Sequence, residues 1–149
     1  METKQNKKTK KHMNRNTMKS AAAIFLTFFS LTHMSRAEDV VKASGKWTGK
    51  EHSIAGYWKI VDDGSSLRLK LYSLKTKKAP DLKIFFSPRT VAQSTANNAT
   101  QGTYFFHKLK THNGNQSYVL PKGFDLDKYK SILIHCQKYT KLWGGANLR

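Results

Sequence analysis

Cysteine is almost absent from this 149-residue chain: Cys136 is the only one. That excludes an internal disulfide, and with it the Cys-x-x-Cys-His signature of covalent haem attachment. Acidic residues are scarce too, nine Asp and Glu against 27 Lys and Arg. No methionine follows Met34, so the usual axial ligand of a blue-copper centre is missing beyond that point. No apolar run reaches the roughly 18 to 20 residues that span a bilayer. Nor is there a glycine-rich phosphate loop, a carboxylate pair or a nucleophile–base pair at a recognisable spacing, so a self-contained enzyme is not expected.

The chain begins with a basic stretch that includes Lys4, Lys7, Lys8, Lys10, Lys11, Arg15 and Lys19. An apolar core follows, from Ala21 to Leu31, and Ser35-Arg36-Ala37 then places small residues three and one before a cut. This three-part layout reads as a secretory signal peptide over residues 1–37. Met13 and Met18 are alternative true starts, because either leaves a more compact signal. After cleavage no stable transmembrane segment is expected, and the mature chain, residues 38–149, is expected to be secreted or periplasmic. Residues 1–37 hold eight of the basic and one of the acidic residues, so residues 38–149 keep a net charge of +11.

Apart from Lys75, Lys77 and Lys78, those lysines are dispersed. Dispersed charge on strands is ordinarily a solvated face that also guards sheet edges. No nucleic-acid recognition motif accompanies it, so nucleic acid is not an expected partner. An anionic envelope surface, membrane or polysaccharide, is compatible with the charge.

Residues 38–149 read as short strands divided by turns. Alternation over Ile54–Val61 and Leu67–Tyr72, divided by Asp62-Asp-Gly-Ser65, predicts a hairpin. Leu82–Ser87, with adjacent Phe85 and Phe86, predicts a strand covered on both faces, ended by Pro88. Arg89–Gly102 is polar and small, and reads as a flexible surface loop. Thr103–Leu109 predicts a strand, Asn113-Gly114 a tight hairpin into Gln116–Leu120, and Asp125–Tyr129 one helical turn. Ser131–Gln137 predicts a further strand, and Gly144-Gly145 a break. The expectation is an all-β, single-domain antiparallel β-sandwich or flattened barrel of about seven or eight short strands.

A group of features from Ala79 onward carries a resemblance. Pro80-Asp-Leu82 precedes a strand; Gly114-Asn-Gln-Ser-Tyr-Val-Leu-Pro121 leads to Leu126, Tyr129 and Ser131. A strand ending in Cys136 follows, then Trp143-Gly-Gly-Ala-Asn-Leu148. Together these resemble the DM-thirteen domain, often called the electron-transfer DM domain. In animals that domain accompanies cytochrome-like DOMON domains, and in bacteria it often stands alone behind a signal peptide. The resemblance implies an all-β domain outside the cytoplasm, acting as an accessory in redox or electron transfer with a redox partner protein. It also implies a redox-active cysteine at position 136. Two departures matter. His135 stands where the family usually has tryptophan, and Trp143 where it usually has phenylalanine.

Cys136 is thus the candidate redox residue. Alternation puts Ile132, Ile134 and Cys136 on one face of their strand, with Leu133, His135 and Gln137 on the other. Cys136 is then either a small apolar filler of the core or a thiol that cycles through sulfenic acid or a mixed disulfide. A copper site built from Cys136 and two of His52, His107, His112 and His135 lacks any recognised ligand spacing, so no metal site is assigned. Asp81 reads as a turn residue that bonds backbone N–H groups, and Asp81 and His135 are the candidate binding residues. The cofactor is unknown. The other function class is a noncatalytic binding or scaffolding module of the cell envelope that uses the basic surface.

Overall fold

The computed structural model describes residues 38–149, and the proposed leader, residues 1–37, lies outside the described residues. Nine strands occur in chain order among the described residues: β1 (Val40–Lys46), β2 (Thr48–Gly49), β3 (Ile54–Asp62), β4 (Leu67–Thr76), β5 (Leu82–Ser87), β6 (Tyr104–Lys108), β7 (Asn113–Val119), β8 (Ser131–Cys136) and β9 (Lys141–Asn147). They form two antiparallel sheets, β1-β3-β4-β7 and β2-β9-β8-β5-β6, which do not close into a barrel. The sandwich follows from the alternation. Trp58 and Ile60 of β3, and Leu69 and Leu71 of β4, turn inward onto Ile84 and Phe86 of β5 and Ile132 and Ile134 of β8. No helix among the described residues is long and apolar enough to cross a membrane.

The β3–β4 hairpin forms as expected. Asp63 closes its turn, with Oδ1 accepting from the N–H groups of Ser65 and Ser66 at 3.0 and 2.8 Å. Those serines and Arg68 hold the Asp63 carboxyl far below the usual carboxylate range. The single helical turn also forms, as a 3-10 turn at Leu126–Lys128.

Three expectations need correction. Asn113-Gly114 does not turn a hairpin: β6 pairs with β5 and β7 with β4, so the chain crosses between sheets after buried Leu109. The positive φ of Gly114, 84°, instead serves an irregularity in the β4–β7 pairing between Leu71 and Leu74. Gly144-Gly145 does not break the chain either, because both residues lie inside β9. Here the requirement is space: a Cβ on Gly144 would lie 2.4 Å from the Thr48 carbonyl oxygen, and one on Gly145 2.6 Å from that of Ile132.

The third correction concerns residues 89–102, which are a hydrogen-bonded cover rather than a loose loop. Val91 N–H donates to Asn147 Oδ1 at 2.9 Å, and Arg89 Nη2 donates to the Asn98 carbonyl at 2.7 Å and to that of Gln101. Val91 and Ala99 pack with Phe85, Leu133 and Leu142 into a second apolar cluster on the outer face of the five-stranded sheet. Every residue of β8 is therefore buried.

Candidate functional site

The pairing of β5 with β8 brings the three candidate residues to one end of the five-stranded sheet. Leu82 lies opposite Cys136 and Lys83 opposite His135. One residue earlier, the Asp81 carbonyl accepts the N–H of Gln137 at 3.1 Å. Sequence separation of more than 50 residues hid this meeting of Asp81 with His135 and Cys136.

Cys136 is the last residue of β8, and its thiol is fully buried in the inter-sheet core. The next three residues, Gln137–Tyr139, form an exposed 3-10 turn that ends at Thr140 in the left-handed region, φ 50°. The buried thiol is thus carried by the residue that immediately precedes a short, solvated piece of chain. Alternation places His135 on the opposite face, so its imidazole does not approach the thiol along the strand.

Gln137, on the same face, is exposed, yet His135 is only 2 % exposed because residues 94–99 cover it. Its Nε2 lies 3.3 Å from the Ala96 carbonyl, so the ring carries its proton on Nε2 and donates there. Nδ1 is buried without a partner, and the ring meets Phe85 edge-on at 6.2 Å. Burial lowers the His135 pKa, opposed by the bond to Ala96. The imidazole is therefore held neutral, as a clasp between β8 and the cover. A cleft of about 430 Å³ opens beside it, lined by Lys50, Glu51, Ser94, Thr95, Ala96 and Leu142.

The Asp81 carboxylate pairs with Lys83 Nζ at 3.3 Å, and the same ammonium donates to Gln137 Oε1. Lys83 and Gln137, absent from the sequence-based set, thus fasten the start of β5 to the turn after Cys136. The only signal for them was their shared outward parity on two well-read strands. The other histidines are scattered: His52 packs on Trp143 at 3.9 Å, His112 bonds the backbone of Ala79, and His107 Nδ1 lies 2.6 Å from the Lys108 carbonyl. Among the described residues no three His, Cys, Asp or Glu side chains converge as metal ligands.

The arrangement shields a thiol in the inter-sheet core and clasps a surface loop with a neutral imidazole. Two comparisons find nothing: no curated protein matches the chain, and no solved structure does. A family model described as Electron transfer DM13 matches residues 46–148, nearly all of the described domain, and the chain belongs to that family.

Proposed function

We propose, starting from membership of the Electron transfer DM13 family, that this domain is a secreted or periplasmic accessory in redox chemistry, with Cys136 as its centre. The observation that carries the reading is the position of the thiol. It is the only sulfur in residues 38–149 and lies at the last position of β8, immediately before the exposed turn Gln137–Tyr139. Local opening of a short surface segment costs less than global unfolding. A partner would therefore meet Cys136 through a transient opening of residues 137–140.

The chemistry that suits a single thiol is exchange with a partner disulfide. The Cys136 thiolate attacks one partner sulfur, the S–S bond breaks, and the other partner sulfur leaves as a thiolate. Attack by a further partner thiolate on the partner sulfur of the mixed disulfide forms a new disulfide between partner sulfurs and returns Cys136 as a thiolate. The net change is exchange of one partner disulfide for another, with no electrons gained or lost by this chain, because it supplies no second thiol.

The test is alkylation of Cys136 by iodoacetamide across a urea series below the unfolding transition. The expected result is slow labelling in the absence of urea with a shallow urea dependence, the mark of local opening. Labelling that follows global unfolding at every urea concentration would make Cys136 a packing residue. The noncatalytic envelope-binding module would then be the better reading.

A further inference from the structure

The two sheets differ in what covers them. The cover 89–102 lies over the outer face of the five-stranded sheet, whereas among the described residues no such segment lies over the outer face of β1-β3-β4-β7. Register defines the rows of side chains on that face. Ser44, Lys59, Lys70 and Ser117 form one row across the four strands. Lys46, Tyr57 and Tyr72 form the next, and Lys75 stands beyond the bulge in β4. Outward positions on one strand recur about every 7 Å.

This face has a strongly biased charge. Its outward positions include Lys46, Lys59, Arg68, Lys70 and Lys75, and no Asp or Glu. Two of these cations are answered from beyond the rows, Lys70 by Asp39 and Arg68 by Asp63. Lys46, Lys59 and Lys75 have no carboxylate within ion-pair distance among the described residues. Tyr57 and Tyr72 stand between them, stacked at 4.7 Å and 8°.

We infer that this face binds an acidic polysaccharide. Three unanswered lysines meet carboxylates, while the hydroxyls of Ser44, Ser117, Tyr57 and Tyr72 suit a polyhydroxylated chain. Single-stranded nucleic acid fits less well, since it needs ring faces for its bases and these two rings face each other. An anionic membrane fits less well also. Apolar side chains would have to enter the headgroup layer, yet the exposed Val41 and Val119 stand on opposite edge strands, separated across the row by buried Val61 and by Arg68. The inference is independent of Cys136 and of the exchange chemistry.

The experiment is affinity electrophoresis of the purified full chain in gels containing polygalacturonate, neutral dextran, oligothymidylate or phosphatidylglycerol vesicles. Three proteins are compared: the parent, K46Q/K59Q/K75Q, and K122Q/K128Q/K138Q as an equal-charge control away from this face. The expected result is salt-sensitive retardation by polygalacturonate and none by dextran. The first triple variant should weaken it at least tenfold, the control less than twofold, and K46R/K59R/K75R should restore it. Equal losses in the two Gln triples would overturn the inference by reducing it to net charge. So would absent retardation, or stronger retardation by oligothymidylate or vesicles. Unfolding midpoints of the variants within a few degrees of the parent keep the comparison free of folding effects.

Discussion

Replacing Cys136 with serine exchanges sulfur for oxygen at a fully buried position whose neighbours are apolar core residues. The volume changes little, but a hydroxyl buried without a partner costs about 1 to 3 kcal/mol. Loss of the apolar sulfur adds about 1 kcal/mol, on the scale of one buried methylene. Cys136→Ser should therefore destabilise by about 2 to 4 kcal/mol. Cys136→Ala introduces no polar group and leaves a small cavity, at a cost of about 1 to 2 kcal/mol. The diagnostic is the order, with Ala above Ser. Urea unfolding followed by tryptophan fluorescence suits the test, because Trp47, Trp58 and Trp143 are all buried. A serine variant as stable as the parent, or more stable than the alanine variant, would refute the apolar environment deduced for the thiol. The order also bears on redox work: a serine variant that loses activity would have lost stability as well, so alanine is the cleaner substitution.

Truncating Leu133 to alanine should destabilise by about 2 to 5 kcal/mol, as for a core leucine, although it faces away from the inter-sheet core; a loss below about 1 kcal/mol in urea unfolding would mean that the cover 89–102 does not seal it. His135 supplies a pH dependence. Its folded pKa lies below 6.5 while the unfolded chain keeps the ordinary value, so the unfolded state takes up the proton first. Its contribution is fully present above pH 6.5 and declines as pH falls from there toward the lowered folded value. Unfolding midpoints at pH 7.5 and 5.5 should differ in the parent, and the difference should shrink in His135→Asn. An unchanged difference would assign it to other groups.

Strands were legible from alternation where one face of a sheet is wet and from short apolar runs where both faces are covered. The alternation of β3 and β4 and the Asp62–Ser65 turn announced their hairpin, and the apolar run Ile132–Ile134 announced β8. What the pattern could not show was cover supplied from elsewhere in the chain. Val91, Ser94 and Ala99 are scattered among polar residues without a period, so nothing in 89–102 marked it as the layer that buries Leu133 and His135. Local signals also misled where tertiary contact set the geometry. Gly144-Gly145 reads as a break, yet the glycines are there so that β9 can press against Thr48 and Ile132. Of the candidate site, the residue types were visible, but the partnership of Asp81, Lys83 and Gln137 around the end of β8 depended on pairing between distant segments.

The pairing of β2 with β9 joins Thr48 to Gly145, and β9 is also the neighbour that β8 needs on its second edge. During synthesis, then, β3 and β4 can zip together early, while the five-stranded half waits for residues 141–147. A partner separated by almost the whole domain makes loop closure expensive and folding slow. The emerging chain remains an unfinished sheet until its final strand arrives to lock the sulfur-bearing strand in place.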